Sequence, residues 1–506
     1  MLAKVMSVAF VGTEARPVEV EVHIGTGVPG FSVVGLPARS VRESEHRTRA
    51  ALLAAGVDWP HLKIVASLAP GTLRKDGTHF DLALAMGITA ARGGLQEVDL
   101  DRWVVLGELA LDGKVRPVPG VLAAAISARS LGRGIICPAA NAVEAAVVEG
   151  LEVVPVATLS DAFAVLRGER EPDPVPEPAA MPQTLTEDMA EVRGHEQAKF
   201  AAEGAAAGGH NLLVEGPPGS GKTMLAMRIP TILPSLTNEE SLEVTRIYSL
   251  AGLLDGRTGL MTHRPFRMPH HHVSLAGLIG GGTGLPRPGE VSLAHHGVLF
   301  LDEMALYRRE VLEALRGPIE DGRVRIARSG GTISFPCSFS LVAAMNPCPC
   351  GFRTDNKRPC RCRAYDIERY CAKLSGPLMD RMDMRVEMQR LTRAELLDAP
   401  EGEPSAAIRT RVEAVRAAQH ARYGPGLCNA SAPRAALRRH VRLDRAARAH
   451  LGAAIDTLDL SGRGVDRVLR VARTIADLRG AAEVSEPDVG RALAYRLRDP
   501  RDEAVA

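Results

Sequence analysis

The sequence predicts an α/β protein built around a parallel sheet whose active loops gather at one edge. Three short apolar runs carry that expectation. Asn211–Glu215 leads into Gly216-Pro217-Pro218-Gly219-Ser220-Gly221-Lys222-Thr223 and then a helical stretch. Val298–Leu301 ends in Asp302-Glu303, and Ser340–Ala344 ends at Asn346. Buried strands separated by helices imply parallel pairing, with the loops at the strand C-termini on one side.

Strand, then G-x-x-x-x-G-K-T, then helix is the context of a phosphate-binding loop. Its glycines, Gly216, Gly219 and Gly221, let backbone N–H groups turn inward around phosphate oxygens. The following helix points its positive end at the same charge. Lys222 is placed to reach the β- and γ-phosphates, and the Thr223 hydroxyl to hold Mg²⁺. Asp302 binds that metal through water, and Glu303 orients and deprotonates the attacking water. Asn346 suits a polar residue that positions this water; its plain reading is a turn-forming Asn before Pro347. ATP and Mg²⁺ are therefore the expected cofactors, and ATP hydrolysis the expected reaction.

The chain has 506 residues, which suggests three domains. Hydrophobic residues make up 45%, enough for several cores. Formal net charge is +2, so no global field draws the protein to nucleic acid and any such binding needs local basic patches. Residues 1–167 mix alternating strands, such as Val18–Ile24, with helical stretches at Arg42–Ala55 and Val121–Leu131. Gly168 to Pro182 carries five prolines, so 168–186 reads as an exposed linker. Residues 187–395 hold the phosphate loop, with a helix expected at Gly194–Ala207, and 396–506 are helical and rich in Arg and Ala. The apolar run Val5–Gly12 is short and Glu14 follows at once, which argues against a leader. With no run of about 20 apolar residues, a cytoplasmic protein without membrane contact is expected.

Three local features stand outside the phosphate site. Gly322–Phe335 reads as a hairpin in which Arg323 and Arg325 alternate with Val324 and Ile326 before a turn at Arg328-Ser329-Gly330-Gly331. Cys348-x-Cys350 and Cys360-x-Cys362 offer four thiolates to a structural, tetrahedral Zn²⁺, with Lys357, Arg358, Arg361 and Arg363 to offset their charge. The bland alternative is four reduced thiols in a loop. His270-His271-His272 sits in a Gly- and Pro-rich insert, where metal binding by adjacent histidines is geometrically awkward.

Several long motifs then resemble one family. They are Arg264-Pro-Phe-Arg-Met-Pro-His-His-His272, Gly280-Gly-Gly-Thr283, Pro286-Arg-Pro-Gly-Glu290, Leu293-Ala-His-His-Gly-Val-Leu-Phe-Leu-Asp-Glu303 and Met345-Asn-Pro-Cys-Pro-Cys-Gly351. Together they closely resemble the magnesium-chelatase-like AAA+ ATPases of the YifB/ComM type, from Gly35-Leu-Pro37 to Ala492-Leu-Ala-Tyr-Arg496. Single arginines are common in this chain, and spacing alone singles out none of them. The resemblance does: it implies that Arg381 is the finger reaching a neighbour's ATP and that Arg463 is the sensor arginine of a C-terminal helical lid, with Arg467 a weaker candidate. A finger acting in trans implies a ring, most often a homo-hexamer. In the resembling motors a hairpin at this position enters the ring pore and meets DNA, so Arg323, Arg325 and Arg328 become candidate phosphate contacts.

The N-terminal domain resembles the Lon-protease fold, an α+β domain. Lys75-Asp76-Gly77 matches the run before that protease's nucleophilic Ser, but His79 stands at the Ser position. Val115-Arg-Pro-Val-Pro-Gly-Val121 matches the run before its catalytic Lys, but Leu122 stands there. A Ser–Lys dyad needs a hydroxyl and an amine, so a non-proteolytic domain, open to a protein partner, is expected. The leading expectation is a ring motor on single-stranded or branched DNA, similar to the ComM branch-migration helicase. The alternative is a chelatase-type or regulatory ATPase that remodels a protein partner.

Overall fold

The computed structural model describes residues 1–178, 187–257, 259–282, 286–328, 331–393, 395, 398 and 400–496. Its first sheet has seven strands, in the spatial order Gly30–Val34, Lys63–Ala69, Glu14–Gly25, Leu2–Val11, Trp103–Val105, Gly134–Pro138, Val153–Val156. Leu2–Val11 and Glu14–Gly25 pair antiparallel around a tight turn that sets Val11 opposite Glu14. Along the second strand Val18, Val20, Val22 and Ile24 are buried, while Glu19 and Glu21 point the other way, as a period of two requires. One core joins that face to helices Ser44–Ala54 and Asp81–Ala91. A smaller one joins Val8, Phe10 and Val104 to helix Val121–Ser130. Of the expected linker, 168–178 forms neither helix nor strand, and Pro182 lies outside the described residues.

The second sheet has five parallel strands, ordered Phe266–Arg267, Val298–Leu301, Ser340–Met345, Leu212–Glu215, Met384–Glu387. Leu212–Glu215, first in sequence, lies between two later strands, so the connections are crossovers and the strand C-termini share one edge. Alternate residues enter different cores. Leu212, Val214, Val298, Phe300, Val342 and Ala344 pack with helices Glu196–Gly208 and Lys222–Ile232. Leu213, Leu299, Leu301, Leu341 and Ala343 pack on the opposite face. Burial on both faces is why these strands read as unbroken apolar runs. The two edge strands, Phe266–Arg267 and Met384–Glu387, carry no such run and were not legible in sequence.

The C-terminal region is a group of helices at Ser405–Tyr423, Arg434–His440, Arg445–Leu458, Gly462–Leu478 and Glu486–Ala494. Helix Gly462–Leu478 buries Val468, Val471, Ala472, Ile475 and Ala476, the three-and-four spacing of an amphipathic helix. It continues the core of the parallel sheet. A buried 2.7 Å hydrogen bond between His210, just before strand Leu212–Glu215, and Thr474 ties helix to sheet.

The N-terminal domain docks on helix Asn238–Ala251. Leu250 completes its smaller core beside Phe10, Val118 and Val121, and the Gly120 amide donates to Ser249 O at 3.0 Å. The first β-turn also touches the hairpin, where a Cβ on Gly12 would lie 2.5 Å from Ser334 O. Among the described residues no helix is long and apolar enough to cross a membrane.

Candidate nucleotide site

The three apolar runs place their polar ends together. Lys222 opens the helix after the loop, with Gly221 at its N-cap in a left-handed conformation (φ +88°). Lys222 Nζ donates to Gly216 O at 2.7 Å, Pro217 O at 2.9 Å and Asn346 Oδ1 at 3.3 Å. Burial lowers the pKa of its ammonium, opposed by the nearby carboxylates of Asp302, Glu215 and Glu303. Thr223 Oγ1 donates to Asp302 Oδ2 at 2.9 Å, so the two residues expected to hold Mg²⁺ face each other. Glu303 is exposed and takes a left-handed backbone (φ +49°), its N–H donating to Asp302 Oδ1 at 2.9 Å. That bend turns the second carboxylate out of the strand toward solvent, where a water can be held and deprotonated.

The residues fit a bound triphosphate. The Ser220 hydroxyl is buried and has no hydrogen-bond partner. Space over the loop is open, since a Cβ on Gly219 would meet nothing within 4 Å. The hydrogen bonds of Lys222 go to neutral oxygens of its own loop and of Asn346. With these donors the loop would hold the phosphates, while Thr223 and Asp302 would hold the metal that neutralises developing charge on the transferred group.

The candidate arginines do not join this cluster within one chain. Arg381 pairs with Glu320 and donates to Pro377 O. Arg463 is exposed on the first turn of helix Gly462–Leu478. Arg467 is more enclosed, and with Arg496 it faces Asp380 at 3.7 and 3.8 Å, pinning the helical region to the Arg381 segment.

The other candidates are placed as follows. Arg323 and Arg325 are exposed on the strand Arg323–Arg328, while Val324 is buried and Ile326 packs on the core beneath. The returning strand is Gly331–Pro336. The Arg328 backbone lies in the first strand, and its side chain falls outside the described residues. Cys348, Cys350, Cys360 and Cys362 converge. His270–His272 stand where strand Phe266–Arg267 ends, with ring centroids 4.1–5.2 Å apart and His271 edge-on to Tyr307. In the N-terminal domain His79 is buried, its Nε2 against Val8 O at 2.9 Å, and Leu122 is fully buried. Neither supplies the hydroxyl or the amine of a Ser–Lys dyad, and both are buried.

Sequence reading missed a second His cluster. Glu243 meets His295 Nε2 at 3.0 Å and His296 Nε2 at 2.9 Å. The Ser338 amide donates to His295 Nδ1 at 3.0 Å, so Nε2 carries the ring proton and donates to Glu243. A metal at Nε2 would need that nitrogen bare, so the trio is a hydrogen-bond clamp. It couples helix Asn238–Ala251, where the N-terminal domain docks, to the strand that carries Asp302. No spacing rule would have found it, because Glu243 is remote in sequence.

Comparison with known proteins agrees with this geometry. The family model for magnesium chelatase, subunit ChlI, matches residues 188–396. The model for subunit ChlI of Mg-chelatase matches 20–141, and that for the ChlI C-terminal region matches 402–496. An uncharacterized protein of Mycobacterium tuberculosis is 46% identical, covering 99% of both chains. Competence protein ComM of Haemophilus influenzae is 41% identical over 98% of this chain and 97% of its own. YifB of Escherichia coli is 40% identical over 97% and 96%. Identity at this level across nearly whole chains places the protein in the YifB/ComM family of magnesium-chelatase-like AAA+ ATPases.

Proposed function

We propose that the protein is an ATP-driven motor on DNA that works as a homo-hexameric ring, with Arg381 completing a neighbour's site and Arg463 acting from the helical lid. Lys222, Thr223 and Asp302 bind Mg-ATP, Glu303 takes the proton of the attacking water, and Asn346 positions that water. The observation that carries the DNA reading is the row of outward arginines, Arg323 and Arg325, on a hairpin whose apolar face is anchored in the ATPase core. Such a row meets phosphates without reading bases. A relative named as a competence protein is consistent with it.

The test is DNA affinity at several salt concentrations for the wild type and an Arg323→Ala/Arg325→Ala variant, with ring assembly checked first. Each arginine–phosphate pairing that the variant removes should reduce the slope of log K against log salt by about 0.9 on duplex DNA. The expected change is up to about 2 for each engaged subunit. DNA stimulation of ATP hydrolysis should fall while basal hydrolysis persists. Parallel salt plots with equal stimulation would remove the hairpin from DNA binding and leave a protein-remodelling ATPase as the better reading.

A further inference from the structure

We propose that Cys348, Cys350, Cys360 and Cys362 hold one Zn²⁺, and that the loop it staples buttresses the phosphate loop, so that zinc occupancy sets nucleotide affinity. The second half rests on the nucleotide reading given above; the first half does not.

The thiols are spaced for a metal. Cys348 Sγ lies 3.4 Å from Cys350 Sγ and 3.7 Å from Cys360 Sγ, and Cys350 and Cys360 are 3.6 Å apart. A tetrahedron with Zn–S bonds of about 2.3 Å has S···S edges of about 3.8 Å, whereas a disulfide brings two sulfurs to about 2 Å. All four sulfurs lie within 4.8 Å of one another, so one ion can reach them all. The surroundings suit thiolates. The Cys350 amide donates to Cys362 Sγ at 3.3 Å, and the amides of Arg353, Arg361 and Phe352 are directed at Cys348 and Cys350. Four thiolates close the coordination shell, so the ion has a structural role and no open position.

The stapled loop rests on the nucleotide site. It leaves the sheet from Asn346, whose carboxamide meets Lys222, and the first ligand follows two residues later. Between the cysteine pairs, Gly351 lies flat against Pro218 of the phosphate loop. A Cβ there would come within 2.6 Å of the Pro218 ring. Arg390 locks this contact from the other side. Its Nη2 donates to Pro218 O at 3.0 Å, its Nε pairs with Asp355 at 3.0 Å, and its guanidinium lies 5.4 Å from the centre of the Phe352 ring. Asp355 Oδ1 also accepts from the amides of Lys357 and Arg358. The segment from Gly351 to Arg363 contains neither helix nor strand. A central ion would cross-link both ends of this segment, and its loss would leave the Gly351 contact on Pro218 held by the Arg390 and Asp355 bonds alone.

Two measurements test this on the full-length protein. Elemental analysis after purification without chelator should find about one zinc per chain, and Cd²⁺ exchange should produce a thiolate charge-transfer absorption that Cys362→Ser weakens. Binding of a fluorescent ATP analogue in excess Mg²⁺ should then weaken tenfold or more when zinc is removed with a zinc-selective chelator, and recover on adding zinc back. Arg390→Ala should keep its zinc yet bind the analogue several-fold more weakly, which guards against simple unfolding of the stripped protein. Absence of zinc together with failure to take up Zn²⁺ or Cd²⁺ overturns the metal site. Unchanged affinity in Arg390→Ala, with zinc retained, overturns the coupling. A wild type that binds zinc but no nucleotide would refute the nucleotide reading, and the coupling with it, while leaving the metal site standing.

Discussion

Lys222 Nζ and Asn346 Oδ1 form a 3.3 Å hydrogen bond between groups 124 residues apart in the chain. The strands that lead to them, Leu212–Glu215 through the phosphate loop and Ser340–Met345 directly, are neighbours in register, with Glu215 opposite Met345. The bond therefore marks where two strand ends deliver their polar groups to one point. Under the proposed reading, this is the point the γ-phosphate would occupy.

Hydrolysis should separate from binding at two residues of this cluster. Lys222→Ala should abolish tight ATP binding. Glu303→Gln should bind ATP as the wild type does but turn over at least about 10²-fold more slowly, because a carboxamide cannot accept the water's proton. Equilibrium binding and steady-state phosphate release report the two effects. A Glu303→Gln rate near wild type would exclude Glu303 as the base.

Arg381 pairs with Glu320, away from its own chain's phosphate site, so its effect should appear between subunits. Arg381→Ala should bind ATP but hydrolyse it about 10³-fold more slowly. Its partner Glu320 is exposed, but the Arg381 side chain is only 12% exposed, so the melting temperature is measured alongside to separate lost packing from lost catalysis. Mixing Arg381→Ala with Lys222→Ala subunits should restore part of the activity, since an intact site can form between unlike neighbours. Mixed rings that never exceed the sum of the two parents, with co-assembly confirmed, would argue against a trans role.

The helical region has a buried charge network that should dominate its stability. Asp477 accepts from Arg422 at 2.6 and 2.9 Å, from Arg473 at 3.1 Å and from Asn429 at 2.9 Å. The Arg473 side chain is 1% exposed. Asp477→Ala strands that guanidinium without its carboxylate, and should cost roughly 3–5 kcal/mol. By contrast, Arg16→Ala breaks a pair with Glu14 in which both partners are exposed, and should change stability by less than about 1 kcal/mol. Denaturant unfolding of both variants makes the comparison.

The N-terminal domain should lose stability in mild acid through His79. Burial, only partly offset by the hydrogen bond to Val8 O, pushes this imidazole down to about 4. The unfolded chain then binds a proton at about pH 6.5 that the folded chain does not accept until about pH 4. A folded pKa below the unfolded one means full stability above pH 6.5, lost progressively as pH falls toward 4. The single-site effect is on the order of 3 kcal/mol. His79→Gln keeps a donor for Val8 O without a titrating ring, and its stability should fall less over that interval. Equal pH dependence in the two proteins would assign the acid sensitivity elsewhere.

The amino-acid sequence by itself determined the phosphate loop, the acidic strand end and the sheet that carries them. Local chain chemistry is enough for these: G-x-x-x-x-G-K-T needs only the strand before it and the helix after it, and strands buried on both faces must be apolar throughout. It also showed the hairpin, because alternating Arg323, Val324, Arg325 and Ile326 assign one side to the core. Only the tertiary structure decided which distant groups meet. Glu243 with His295 and His296, Arg390 on Pro218, Gly351 against the same proline, and helix Asn238–Ala251 beneath the N-terminal domain all join remote segments. None has a sequence period, since such meetings depend on how strands order themselves in the sheet and on which faces remain to be covered once the cores have formed. The edge strands Phe266–Arg267 and Met384–Glu387 belong with them. Each is too short and too polar to be seen alone, and becomes a strand because a neighbour offers unpaired backbone groups that must be satisfied.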